Sequence, residues 1–466
     1  MRLYSSAMTR LALLCLFAVF AAQTVSLSPA VAASLLAAQE KPDKNAVALQ
    51  RLLDDIGKQR AEVISIQREL TARPALAPES GGEGEEAKAR WIEEWLRQKG
   101  FPLVERLDYL DAKVPSGQRP NLVLRLPGQS GRTLWLVCHL HVATPGPLDR
   151  WQGSPWTLRV EGDTVYGRGV MDNHQSIAAA LLLFENLKRQ QITPPMGLGL
   201  VLHAQTNGFR HVLAKRPDIF APDDLLIVPD FGNPKGTSIA LAEKGLLWLN
   251  ICIKGEQKHS GSPQGGHNTL RIGARFIRDM DELAKSLSAA VPMFQAPYVT
   301  FEPTMVLPTA GSSNAVPAEF TFSVDCRFTP IYSPADIMKE FRTLADKLER
   351  EEGVSINLTE TLSYYSPPPT RQDSPVVLAV LRSLAAEGVK DVSFVGINTV
   401  SSATPIREKG LAVAEWGKMD DTRRQIANES TTVSASIEEA RVFARILFDQ
   451  EAAKAAPANA GEEKTP

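Results

Sequence analysis

Apolar positions along this chain change period several times, and each change marks an element. Leu49, Leu52, Leu53 and Ile56, then Val63, Ile66 and Leu70, recur at helical spacing and predict a helix ending before Pro74. An Ala- and Lys-rich stretch, residues 34–48, should be loose. Residues 75–83, with Pro78, Gly81 and Gly82, read as a flexible connection. A second helix is predicted over 87–99, stopped by Gly100, and compact apolar runs at 122–126 and 134–142 read as buried strands. The helical pattern of 174–190 leads to strands at 197–204 and 224–229. Strand, helix and strand at this spacing form a crossover unit, so the fold class is α/β, with a mainly parallel sheet flanked by helices.

Around Gly245 the pattern changes. Residues 246–254 and 319–328 alternate like half-solvated strands, with a helical pattern over 269–289 between them. Ser333-Pro334-Ala335-Asp336 has the character of a capping box, and Ile337, Phe341, Leu344 and Leu348 line one face of the helix it opens. A last strand, 354–361, precedes Pro367-Pro368-Pro369. This order implies a small α+β unit, residues 246–365, inserted into a larger domain built from 45–245 and 366–450. The tail 451–466 is low in complexity and should lack structure.

Composition narrows the function classes. With 44% hydrophobic and 22% charged residues and a net charge of −2, the chain reads as an ordinary soluble protein with no basic surface for nucleic acid. Residues 1–33 read as a cleaved signal peptide: Arg2 and Arg10, an apolar core over 11–22, then Ala30-Val31-Ala32 with cleavage near Ala32. That core falls short of the roughly 20 residues needed to span a bilayer, so no membrane anchor is expected after cleavage. A periplasmic or secreted protein of net charge −4 follows, since the leader carries two arginines and no acid. The three remaining cysteines, Cys138, Cys252 and Cys326, are odd in number and lie in apolar runs, which points to buried thiols rather than a disulfide framework.

The candidate chemistry centres on residues 134–176. The strand 134–142 delivers His139 and His141 near its carboxyl end on one face, because strand side chains alternate. Asp172 then falls where a helix begins, after a glycine-flanked turn. A histidine at a strand end and a carboxylate on the next loop are typical ligands of a hydrolytic metal site.

His139, Trp151, Gly167-Arg168-Gly169 and Asp172, in this order and spacing, resemble the zinc-dependent aminoacylase and carboxypeptidase family that includes acetylornithine deacetylase, succinyl-diaminopimelate desuccinylase and carboxypeptidase G. The likeness continues through Val228-Pro229-Asp230, Glu243-Lys244-Gly245, His259-Ser260-Gly261-Ser262-Pro263, Asp325-Cys326-Arg327 and Asn428-Glu429, and covers most of the mature chain. It implies that the inserted unit is a lid that dimerises, and that two metal ions share Asp172, with His139 and Asp230 completing the first. It further implies an oxyanion-stabilising role for His259 and a substrate-carboxylate partner in Arg327.

Other family positions are replaced. Where the family writes Asp-Glu-Glu, giving the base and then a ligand, this chain reads His203-Ala204-Gln205-Thr206-Asn207-Gly208. Strand register matches Gln205-Thr206-Asn207, whereas Gly208 as anchor matches Ala204-Gln205-Thr206. Either way Gln205 lies at or next to the position of the base, and no carboxylate occurs between Glu185 and Asp218. The second ion's histidine corresponds to Gln425, or to Arg424 when counted from Asp420-Asp421-Thr422. All seven histidines lie at or before His267, so no shift of alignment restores it. The family's supporting aspartate is His141 here, and its glycine-rich substrate loop is Asn398-Thr399-Val400-Ser401.

Loss of a general base costs about 10²–10⁴ in rate. The expectation is therefore an exported family member acting on an amide or peptide bond of a small acylated amino acid or peptide, with two-ion activity weakened or lost. It would hold at most one zinc, or another divalent metal, per chain and form a homodimer through the lid. The alternative is a non-catalytic descendant that binds a small ligand or a protein partner. His141, His174 and His203 map near the inferred centre and are candidates for a rebuilt ligand set.

Overall fold

The computed structural model describes residues 43–101, 104–307 and 312–454. The chain divides into two compact units, residues 1–47 and 48–466. Only residues 43–47 of the first are described, and they open a helix. The predicted leader lies outside the described residues.

The main sheet takes β1 (Glu105–Arg106), β2 (Leu122–Leu126), β3 (Thr133–His139), β4 (Gly197–His203), β5 (Leu225–Gly232) and β6 (Ser238–Glu243). A second sheet follows with β7 (Gly245–Lys254), β8 (Thr300–Val306), β9 (Glu319–Phe328) and β10 (Ser355–Tyr364). The chain then returns to the main sheet with β11 (Ser393–Ile397) and β12 (Val413–Gly417). The helices that matter below are α1 (Lys44–Ile56), α2 (Arg60–Thr71), α3 (Glu86–Gln98), α4 (His174–Arg189), α5 (Thr206–Lys215), α6 (Thr269–Ser286), α7 (Pro334–Glu352), α8 (Pro375–Ala386) and α9 (Val433–Leu447).

In space the main sheet runs β1-β2-β4-β3-β5-β12-β6-β11. The centre, β4-β3-β5-β12, is parallel, as is the pair β6 and β11. The β1-β2 edge and the β12–β6 junction are antiparallel. Burial on both faces explains the unbroken apolar run of β3, every residue of which is buried. Leu134, Leu136 and Cys138 pack into the core with Leu181 and Phe184 of α4, whereas Trp135 and Val137 face Phe209 and Val212 of α5. Alternation thus sends Cys138 away from the face that carries His139. The thiols of Cys138, Cys252 and Cys326 are free.

The second sheet, ordered β8-β9-β7-β10, carries α6 and α7 over its own apolar core. Phe276, Phe322, Phe328 and Phe341 are fully buried there. Ser333 and Asp336 cap α7 reciprocally, as the sequence implied. Four apolar positions were assigned to one face of α7; Ile337, Phe341 and Leu348 are buried on it, and Leu344 packs at the margin of the core.

The structure corrects three local expectations. The helical run through Leu49 and Leu70 is two helices, α1 and α2, broken at Gly57-Lys58-Gln59. A reciprocal amide pair between Gln59 and Asn186, at 2.8 and 3.0 Å, pins that break to α4. The segment expected to be loose up to residue 48 is already helical from Lys44, and the tail expected to lack structure from Glu451 is helical over Gln450–Lys454. Residues 455–466 lie outside the described residues. Among the described residues no helix is long and apolar enough to cross a membrane.

Candidate metal centre

His139 closes β3, and His203 lies beside it in register at the end of β4. Asp230 sits near the end of β5. Three adjacent parallel strands therefore present their carboxyl ends at one edge of the sheet, where ligands gather in open α/β sheets.

Asp172 comes from the turn between Gly167-Arg168-Gly169 and α4. Gly169 has φ +90°, and a Cβ there would lie 2.6 Å from both His174 Cε1 and Val142 Cγ1, so a larger residue has no room. Buried Arg168 pairs with Glu429 at 2.5 Å and donates to the carbonyls of Gln425 and Ile426. The other Glu429 oxygen accepts from the backbone N–H groups of Met171 and Asp172, at 3.0 and 3.2 Å. The two motifs are thus one scaffold that fixes the Asp172 turn to the loop after β12.

His139 Nε2 lies 3.0 Å from Asp172 Oδ1 and 3.6 Å from Asp230 Oδ1. The carbonyl of His141 is 2.9 Å from His139 Nδ1, which leaves Nε2 facing the acids. Ligand atoms of His139, Asp172 and Asp230 all lie within 4.8 Å of one another, and this is the one such group among the described residues. Three protein ligands of this chemistry fit one ion with an open position. A second ion does not fit: the other Asp172 oxygen accepts from Gln425 Nε2 at 2.7 Å, and an uncharged amide supplies no anionic ligand.

A cation of the chain itself also enters the group. Arg424 Nη2 donates to Asp172 Oδ1 at 2.9 Å and to Asp230 Oδ1 at 2.6 Å, and Nη1 donates to the Asp230 carbonyl at 2.9 Å. Burial pushes Asp172 up, but Arg424 and then His139 outweigh it and hold the carboxyl well below its usual range. Burial likewise pushes His139 down, yet Asp230 and Asp172 prevail and raise it to about 10.

The group opens into a cavity of about 840 Å³. His141 and His203 line it, whereas His174 does not. The His141 ring lies 4.3 Å from that of His139, and burial followed by the charge of His139 lowers its pKa well below the usual value. His203 stacks on Phe209, holds Ser402 Oγ at 2.8 Å and is lowered to about 3, mainly by burial. His174 Nε2 lies 2.7 Å from buried Lys88, which also donates to the Leu140 carbonyl. Burial lowers that lysine to about 7. The structure therefore places none of His141, His174 and His203 in the ligand group.

Gln205 directly precedes α5, and its side chain accepts from Arg119 Nη1 at 3.0 Å, away from the cavity wall. Thr206, the next residue, reaches that wall. Exposed His259, on a two-residue strand, is outside the cavity lining. Arg327 is held by Asp325 at 2.8 Å and donates to the Asn398 carbonyl of the cavity loop at 3.3 Å, but does not itself line the cavity.

Residues 241–353 match the family model described as the M20 peptidase dimerisation domain. An uncharacterized metallohydrolase of Methanococcus maripaludis is 29% identical over 83% of this chain and 98% of its own length. Succinyl-diaminopimelate desuccinylase of Hydrogenovibrio crunogenus is 23% identical over 80% and 95%. The chain therefore carries an M20-type dimerisation domain and is similar to M20 metallohydrolases over most of its length. Human carnosine dipeptidase 1 shares the M20 fold at a TM-score of 0.66 and 16% identity, covering 87% of this chain and 99% of that one.

Within this M20 site, sequence reasoning singled out the ligand group but missed how Arg424 and Lys88 are used, and it did not consider Asp421, which also lines the cavity. A signal for Arg424 was present, since the missing histidine aligns with Arg424 or Gln425. Its bridging role depends on a loop in which Gln425 takes φ +58°, which no pattern announces. Removing Arg168 should leave Glu429 buried and unpaired. Arg168→Met is therefore expected to destabilise the fold by about 3–5 kcal/mol, measured by urea unfolding. A loss below about 1 kcal/mol, the range of an exposed pair, would show that the pair does not hold this turn.

Proposed function

We propose that the chain is an exported M20 protein whose cleft takes a small acylated amino acid or peptide, with the family's two-ion hydrolysis weakened or lost and one divalent ion at most. One observation carries this reading: among the described residues no glutamate lines the cavity, and Thr206, the first residue of α5 just past the end of β4, is what reaches its wall there. A hydroxyl cannot take a proton from water at neutral pH as a carboxylate does. His139, Asp172 and Asp230 would hold the ion, which when bound supplies Lewis-acid polarisation of a carbonyl oxygen. Ser402 orients His203 on the wall, and Ser401 is fixed by Glu243 at 2.8 Å through its N–H, so the cavity has a shaped, hydrogen-bonded floor.

A second reading, residual one-ion hydrolysis, has its own support. Asp421 lines the cavity, and burial, together with Asp230 and Asp172 against the pull of Arg424, raises its pKa in the direction a general base needs. The mature chain should be screened against N-acyl amino acids and dipeptides, with binding read by calorimetry and turnover by amine release. Binding with turnover about 10²-fold or more below that of a family member with its base intact is expected. Ordinary turnover would contradict the reading, and residual turnover abolished by Asp421→Asn would favour the second one.

The dimerisation domain supports a homodimer. Edge strand β8 leaves Met305 and Val306 53% and 63% exposed, an apolar edge that a partner would cover. Sedimentation at micromolar concentration is expected to give a dimer. A clean monomer, also after removal of residues 455–466, would refute it.

A further inference from the structure

Two carboxylates facing one imidazole, Asp172 buried and Asp230 partly buried, call for a positive partner, and the loop after β12 provides one. Arg424 Nη2 bridges Asp172 Oδ1 and Asp230 Oδ1, the two oxygens that together with His139 Nε2 make up the ligand group. We infer that Arg424 is a resident competitor for the ion position, so that a divalent ion and this guanidinium hold the group in turn and never together.

Geometry and charge both require the exclusion. An ion bound by the same oxygens would stand within a few ångströms of the guanidinium, which cannot shed its proton. Nη2 already rests against both oxygens that the ion would use, so ion and guanidinium would crowd one position. Arg424 also has somewhere to go. It sits on an irregular loop rather than on a helix or strand, its side chain is 22% exposed, and it lines the 840 Å³ cavity. Asp421, 3.8 Å away on the same loop, is a carboxylate ready to receive it when displaced. Metal affinity is thereby set by the work of moving one side chain. This inference concerns the ion position alone and stands whether or not the cleft turns over a ligand.

The test is calorimetric titration of the mature chain with zinc and with cobalt, comparing wild type with Arg424→Gln, Arg424→Lys and the double variant Arg424→Gln/Asp230→Asn. Removing the competing charge should tighten binding of a single ion by roughly 10–100-fold, the range expected from losing two charged hydrogen bonds. Arg424→Lys, which keeps the charge, should gain much less, and the double variant should lose the gain because its ligand group is broken. Equal affinities for wild type and a folded Arg424→Gln would overturn the inference. If that variant does not fold, a crystal structure of the wild type soaked in cobalt decides: an ion between Asp172 and Asp230 with Arg424 swung into the cavity supports competition, and an ion there with Arg424 still on both carboxylates refutes it.

Discussion

The constraint on which this structure depends is the charge balance at the ends of β3 and β5. Asp172 and Asp230 are carried to the carboxyl edge of a parallel sheet beside His139, Asp172 buried and Asp230 partly so. An acid left without a cation at such a position would cost several kcal/mol. In a dinuclear site metal ions meet that demand. Here Arg424 and His139 meet it: His139 closes β3, and the loop after β12 delivers Arg424, with Gln425 on the remaining Asp172 oxygen.

Around that centre the supporting scaffold is intact. Arg168 and Glu429 tie the Asp172 turn to the same loop. Glu439 of α9 accepts from Gln175 and Ser176 of α4 and from the N–H of Lys418, holding the start of α4 in place. Lys88 of α3 locks His174 from the far side. The residues replaced relative to the family resemblance, at 205–206 and 424–425, are those that would have met a second ion or acted on water. On the proposed reading frame and chemistry have separated, while the frame has kept its hydrogen bonds.

How much of this could be read beforehand follows from which positions are governed locally. Strand β9 emerged at its predicted limits because each of its residues alternates between a buried and a partly exposed side. His139, Asp172 and Asp230 were found because strand ends and a glycine turn fix their places. The break between α1 and α2 was not legible, since the Gln59–Asn186 pair that fixes it spans distant segments. Helix α5 was missed because its residues were weighed only as a motif. His174 was misplaced for a related reason: proximity in sequence to Asp172 says nothing of direction once a helix starts, and its ring turns to Lys88. Alternation correctly put His141 beside His139, but burial and the neighbouring charge keep it a wall of the cavity.

Ion stoichiometry bears most directly on the central claim, that this ligand group has room for one cation in place of two metal ions. Elemental analysis of the purified protein after dialysis against trace zinc measures it. At most one ion per chain is predicted, because Asp172 would be the only charged ligand left for a second. Two tightly held ions per chain would contradict the account.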